Sequence, residues 1–566
     1  MGHFLSSLRQ SAVTQLPLPG LLVTHQWQER ECRIRLDNVG GSQVCPDYWP
    51  LFDGQFGLAE APIYGEGFQM LAQTLGTWSA PEAVGRCPDA GDYRITRDQG
   101  FYTVHNLLLV QTQAGWLLLA FGSCHRFGGE FRLYPDGRLQ ILMRTEGRAL
   151  MPGQYWLSES LICLEGSDRG ALLSELGQRL AREHGGRAGR RPSGWCSWYH
   201  YYAEVSEADI RENLAQMGTR FTDLEYVQID DGYQAFMGDW LDPSERFAGG
   251  VPALVEEIQA AHRKPALWVA PFIAEPGSAL FRDHPDWFVK DEQGRPLAAE
   301  LVTYGGWRCT PWYVLDGTHP EVQRHLASLF RILRAQWGID YFKLDANFWG
   351  AIHGGHFHDP LATRIEAYRR GMAAVRRGAG EDAFLLGCNA PIWPSVGLVD
   401  GMRVGDDVER KGTRIRQIAR ELFCRAWQGE HLWALDPDCV CLRDIPGQQA
   451  SAQEYAFHLA AMVASGGMML AGDRLQDLDE GQAAALRQLL VLCQGHSSPA
   501  RFDDLGFSQG EIMWQGQILR CLFNWSREPR EIMLPAGAVD FWDHRPLGER
   551  LILAPSDGRV VCYSPR

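Results

Sequence analysis

Three short stretches place acidic side chains where apolar runs end: Val227-Gln-Ile-Asp-Asp-Gly232, Phe342-Lys-Leu-Asp-Ala346 and Arg403-Val-Gly-Asp-Asp-Val408. Two carboxyl groups facing one another are the minimal equipment for cleaving a glycosidic bond: one attacks the anomeric carbon or activates water, and the other protonates the leaving oxygen. Side chains alternate along a strand, so Lys343 and Asp345 would share one face while Phe342 and Leu344 share the other. The apolar pair suits a layer of helices, which leaves the polar pair facing inward. Arg403, Gly405 and Asp407 would also share a face, yet four residues of extended strand span about 13 Å. Asp407 is therefore expected on the loop above Arg403. A single aspartate at a strand end commonly caps a helix or meets an arginine; three such ends in one chain favour chemistry. Metal chemistry is the rival, with His353, His356 and His358 in one loop and Cys439 and Cys441 in another as plausible ligands. Neither group has a matching second cluster. No phosphate loop or dinucleotide fingerprint follows a strand, so no cofactor and no metal are expected.

The elements that must hold these residues alternate. Between Gly194 and Asp473 lie eight apolar runs: GWCSWYHY, LEYVQID, PALWVAPFI, IDYFKLD, AFLLGCNAP, DGMRVG, HLWALD and GGMMLAG. Helical patterns separate most of them. Ser206 with Asp209 has capping-box spacing, and Thr318 with Glu321 predicts the same start for the helix that follows. Repeated strand and helix imply a parallel sheet, and eight strands favour a (β/α)₈ TIM barrel over a doubly wound sheet, with its active site at the C-terminal strand ends. Upstream, short alternating runs such as EFRLYPDGRLQILMRT are hairpin-like. The expected division is an N-terminal antiparallel β-sandwich domain over 1–182, a linker over 183–194, the catalytic barrel over 195–497 and a small C-terminal antiparallel β domain over 498–566.

Composition narrows the partners. The 566 residues carry a net charge of −15, which repels nucleic acid and anionic membrane surfaces, and no apolar run reaches the roughly 20 residues of a membrane span. Fourteen cysteines on a chain able to bury its own core suggest reduced thiols, and no signal peptide is recognised in the first residues, so a cytoplasmic location is expected. Twenty tryptophans suit sugar rings as well as cores. Only four cationic side chains are lysine (Lys264, Lys290, Lys343 and Lys411). Each one raises the question of why arginine would not serve.

GWCSWYHY, QIDDGY followed by GDW, YFKLD, LGCNAP and DGMRVGDD, in that order over half the chain, together resemble glycoside hydrolase family 36, and especially its bacterial α-galactosidases. The resemblance implies a retaining, cofactor-free hydrolase acting on terminal α-galactosides of the melibiose or raffinose type. Asp345 would be the nucleophile that forms a covalent glycosyl-aspartate, and Asp407 the acid/base. Asp230 and Asp231 would hold galactose hydroxyls. Lys343, Arg403, Cys388 and Trp198 match other sugar-contacting positions, and Trp268 an aromatic wall. Gly405 and Asp406 complete the candidate site, while Tyr199, Trp307 and Trp349 either extend the pocket or pack behind it. Related enzymes often carry proline before the acid/base, where this chain has Asp406. A second carboxylate there could raise the pKa of Asp407 or take over its role; spacing favours Asp407. Lys343 is expected to favour the charged form of Asp345. A transglycosylase or an α-N-acetylgalactosaminidase of the same family, and a sugar-binding protein without activity, stay open, and the sequence allows a homo-oligomer.

Overall fold

The computed structural model describes residues 3–97 and 99–565. Its centre is an eight-stranded parallel barrel: β1 (Ser193–Cys196), β2 (Tyr226–Ile229), β3 (Lys264–Val269), β4 (Tyr341–Leu344), β5 (Phe384–Gly387), β6 (Gly401–Arg403), β7 (Ala434–Asp436) and β8 (Met469–Ala471). Neighbours pair in sequence order from β1 to β7, and β8 pairs with β1. The seam between β7 and β8 closes through Met468 N–H donating to Leu435 O at 2.8 Å and Val440 N–H donating to Leu470 O at 2.8 Å. The barrel is therefore a TIM barrel, with strands only three to six residues long. GWCSWYHY is a strand only as far as Cys196; Trp198–Tyr201 is already helical.

Ser206 and Asp209 form the expected capping box at the helix Glu207–Thr219. The next expectation fails. The helix Pro320–Ala335 is capped by His319, whose ring accepts from Glu321 N–H, because Asp316 already takes the Thr318 hydroxyl at 2.7 Å. Phe342 faces that helix as its strand position requires, with its ring 5.2 Å from Phe330.

The N-terminal domain is two antiparallel sheets, of nine and four strands. EFRLYPDGRLQILMRT does form a hairpin, Gly128–Leu133 against Arg138–Arg144. The central strands of the larger sheet, Leu107–Thr112 and Gly115–Phe121, are buried on both faces. Leu108, Val110, Leu117, Leu119 and Phe121 point into the sandwich core, and the alternate residues Leu107, Leu109, Trp116, Leu118 and Ala120 join the core that includes the barrel. Two buried faces explain why these strands read as continuous apolar runs. They also press the domain against the barrel, which brings the segment after strand Pro81–Ala83 to the barrel mouth. The expected linker is shorter than its span: helix Arg169–His184 runs into its start, and β1 begins at Ser193. The C-terminal domain, a five-stranded sheet with a two-stranded companion, packs through Phe523 on Phe423 and Phe457 of two barrel helices, with ring centroids 4.9 and 5.0 Å apart. No helix among the described residues is long and apolar enough to cross a membrane.

Candidate active site

A cavity of about 400 Å³ opens at the C-terminal ends of the barrel strands. Asp230, Asp231, Lys343, Asp345, Asp406, Asp407, Trp198, Trp268 and Trp307 line it, so most of the expected residues do converge. Asp345 follows β4 and is nearly buried. It accepts from Trp268 Nε1 at 3.1 Å, Asn389 Nδ2 at 2.9 Å and its neighbour's backbone N–H, that of Ala346, at 2.7 Å. All three donors are neutral. They fix the carboxylate's orientation without an ion pair.

Lys343 does not act as expected. Its Nζ lies 3.0 Å from Asp230 Oδ2, making a buried ion pair across the barrel rather than one with Asp345. Burial opposes the ammonium charge, but Asp230 and other nearby anionic groups, Asp345 among them, outweigh burial and raise its pKa well above the ordinary lysine value. Asp230 also accepts from Gln228 Nε2 at 2.7 Å. Asp231 is gripped by Arg308, with Nε at 2.6 Å from Oδ2 and Nη2 on Oδ1, and by Gln234 Nε2 at 2.7 Å.

Strand β6 ends at Arg403 and the chain turns at once, so the 13 Å of an extended run never develops. Arg403 Nη2 meets Asp407 Oδ1 at 2.8 Å, while Asp407 keeps 52% of its side chain exposed. The same nitrogen meets Asp438 Oδ2 at 2.6 Å, and the Tyr199 hydroxyl donates to both carboxylates, at 3.1 Å to Asp407. Burial pushes the Asp438 carboxyl up to about 6; Arg403 opposes the rise, while Asp407 and Asp436 add to it. Burial, followed by the two nearby carboxylates, keeps the Tyr199 phenol well above its ordinary pKa, so it remains a donor.

Asp406 is turned away from this cluster. Its carboxylate lies 2.8 Å from Arg414 Nη1 and 2.9 Å from Arg86 Nε, and it accepts the backbone N–H of Asp407 at 2.8 Å. Burial alone would raise its pKa, but the two guanidinium groups outweigh burial and hold the carboxyl below the usual aspartate value. A carboxylate so held is a poor proton donor at neutral pH.

Four candidates stand behind the cavity rather than in its wall. Arg403 is fully buried and grips carboxylates; Tyr199 is buried beside it; Cys388 is buried next to Asp345; and Gly405 lies over Glu421. Trp349 packs under Trp307 and Trp312. The histidine alternative comes apart: His353 bonds Val302 O at 2.9 Å, His356 faces Glu292 at 3.1 Å, and His358 packs on His319. Among the described residues no three His, Cys, Asp or Glu side chains are grouped to hold a metal ion.

Sequence reasoning missed Asn389, Asp438, Arg308 and the whole N-terminal wall of Met70, Leu71, Arg86, Cys87, Asp92 and Tyr93. A signal existed for the part of the wall from Arg86 to Tyr93: residues 84–97 hold no helix or strand, and loops of about 12–15 residues or more are usually functional. The wall is pinned by Arg425, fully buried, which binds Glu66 at 2.9 Å and donates to Ala72 O and Val404 O, both at 2.9 Å. One side chain thus ties the N-terminal domain to the end of β6.

Residues 187–368 match the sequence family described as Melibiase. Among curated relatives, α-galactosidase C of Emericella nidulans is 28% identical over 218 residues, covering 35% of this chain and 28% of its own length. α-Galactosidase AgaA of Geobacillus stearothermophilus is 26% identical over 191 residues, 32% of this chain and 24% of its own. The aligned chain thus spans about a quarter of the length of these relatives. In the solved structures the likeness is longer. TtGalA, an α-galactosidase from Thermus thermophilus in complex with stachyose, superposes with a TM-score of 0.63 at 26% identity, over 85% of this chain and 96% of that one. The family 36 enzyme AgaA superposes with a TM-score of 0.66 at 12% identity, over 96% and 80%. The fold is therefore shared with a family 36 enzyme. The matched residues span β1 to β4 and so include Asp230, Asp231, Lys343 and Asp345; Asp407 lies beyond them.

Proposed function

We propose that the protein is a retaining glycoside hydrolase that releases terminal α-linked galactose from small oligosaccharides, with Asp345 as nucleophile and Asp407 as acid/base. The observation that carries this reading is the contrast between two carboxylates at one cavity. Asp345 is nearly buried and aimed by three neutral N–H donors. Asp407 is half exposed and hydrogen-bonded through one oxygen to Arg403 and Tyr199. The first arrangement suits attack on an anomeric carbon; the second suits a group that must exchange protons with a leaving oxygen and then with water. Asp230 and Asp231, at the end of β2, are the acceptors for the axial O4 and the neighbouring O6 that separate galactose from glucose. Between them, Lys343 and Arg308 hold both carboxylates in place.

The mechanism needs no group beyond the chain. Asp345 attacks C1 while Asp407 protonates the departing oxygen; Asp407, now a base, then draws a proton from the water that frees the sugar. Arg403 and Tyr199 hold Asp407 in place through both steps, and Asp406 anchors its backbone. We also place the protein in the cytoplasm, on fourteen cysteines that are all unpaired.

Azide rescue tests the assignment. Asp345→Ala should abolish turnover of every α-galactoside, with the formate-rescued or azide-trapped product having inverted configuration. Asp407→Ala should retain activity on 2,4-dinitrophenyl α-galactoside, whose leaving group needs no proton, and azide should accelerate it. The second pattern appearing in Asp406→Ala instead would overturn the choice between the neighbours.

A further inference from the structure

We propose that Arg86, supplied by the N-terminal domain, is a specificity-determining residue that binds hydroxyl groups of a saccharide leaving group, so that this domain selects what galactose is attached to. The proposal rests on the hydrolase reading above and deepens it. A leaving group must lie beside the acid/base. Arg86 reaches that place because Gly85 lets its loop lie against the Leu71 carbonyl, where a Cβ would collide. Its Nε donates to Asp406 Oδ2 at 2.9 Å, one residue from Asp407, and its Nη2 lies 3.4 Å from Asp406 Oδ1. Its Nη1 makes no hydrogen bond among the described residues, and 55% of the side chain is exposed at the cavity.

This geometry separates two roles that an arginine here could have. Asp406 has a second guanidinium, that of Arg414 at 2.8 Å, which is almost fully buried. Asp406 therefore stays paired and keeps its bond to the Asp407 backbone when Arg86 is absent. The ion pair fixes Arg86, and its remaining N–H groups form a preset fork for neutral oxygens. Tyr304 and Trp307, on the long connection between β3 and β4, line the same cavity and offer flat faces to a pyranose ring. A ring carrying several hydroxyls meets both demands. A plain phenyl ring meets only the second.

Three α-galactosides test this in the full-length protein: p-nitrophenyl, whose leaving group needs little protonation; phenyl, which needs a proton but has no hydroxyls; and the disaccharide melibiose, which needs a proton and has hydroxyls. Arg86→Met should lower kcat/KM for melibiose by about tenfold or more, mainly through KM, and leave both aryl substrates within about threefold of wild type. Inhibition by free galactose should be unchanged, because galactose occupies only the inner part of the cavity. Arg86→Lys, a smaller change that keeps the charge, should fall between the two and gives the same ordering of substrates where Arg86→Met does not fold. Parallel losses on phenyl galactoside and melibiose would show that Arg86 acts by positioning Asp407. Unchanged melibiose kinetics, or weakened galactose inhibition, would also overturn the proposal. A wild-type protein inactive on p-nitrophenyl α-galactoside overturns the hydrolase reading, and this proposal with it.

Discussion

Asp438 is the most informative residue to perturb, because it shares both of its partners with the proposed acid/base. Its Oδ2 and Asp407 Oδ1 lie 2.6 and 2.8 Å from one nitrogen of Arg403, and the Tyr199 hydroxyl donates to each. Two carboxylates so placed are about 5 Å apart at most, and at an effective dielectric constant near 20 their repulsion is about 3 kcal/mol, or roughly two pH units. Asp407 is 52% exposed, so solvent screening cuts this to about one unit. Burial raises the Asp438 carboxyl to about 6, so its negative charge is present above that pH, beside the proposed proton donor. Asp438→Asn removes the charge while its amide oxygen can still accept from Arg403 and Tyr199. The expected result is a basic limb of kcat/KM on melibiose shifted about one unit to lower pH, with the rate at pH 5 kept within a few fold. The comparison is a pH series of kcat/KM for wild type and variant. A limb that does not move refutes the electrostatic coupling, and an equal loss at every pH shows that Asp438 merely holds the fold.

Asp230→Asn should lower kcat/KM on α-galactosides at least about tenfold and also destabilise the protein by about 3–5 kcal/mol, because it strands the buried Lys343 ammonium; urea unfolding measures the second effect. Asp231→Asn should show the kinetic loss with less destabilisation, since its partner Arg308 keeps 28% of its side chain exposed to water; equal stability losses would contradict this ordering. Glu421, pushed up to about 7 by burial and by Asp406, binds a proton in the folded state that the unfolded chain has already released. Its contribution is therefore present below about pH 4.5 and lost as pH rises towards 7, a change on the order of 3 kcal/mol that should be absent from Glu421→Gln in unfolding curves at pH 5 and 8. Proton NMR of the first sugar released should show the α anomer, and early β product would mean inversion.

The inward face of β4 was legible because strand alternation is a local rule: Lys343 and Asp345 share the cavity, and Phe342 meets its helix. The barrel followed from eight apolar runs for the same reason. What stayed hidden depends on distant contacts. Arg86 lies 320 residues from Asp406 and Arg308 lies 77 from Asp231, and no periodicity reports such pairs. Lys343 stands out in the sequence as a lysine in an arginine-rich chain, but its ion-pair partner is not legible there. The near neighbour in sequence, Asp345, is satisfied by neutral donors, and the ammonium reaches across the barrel to Asp230. The helix start at Thr318 was misread because hydroxyl spacing cannot show that Asp316 has already claimed the hydroxyl.

The distribution of counter-charges gives the site its chemical asymmetry. Asp230, Asp231, Asp406 and Asp407 each pair with a lysine or arginine, whereas Asp345 makes no ion pair among the described residues. A cation at hydrogen-bonding distance would stabilise a carboxylate's charge and blunt its attack on carbon. Neutral donors from Trp268, Asn389 and the Ala346 backbone orient the same group at a smaller cost in reactivity. The same logic inverts at Asp407, where contact with Arg403 stabilises the charge that appears once the proton has gone to the leaving group. Replacing Asn389 with a cationic residue would erase this difference.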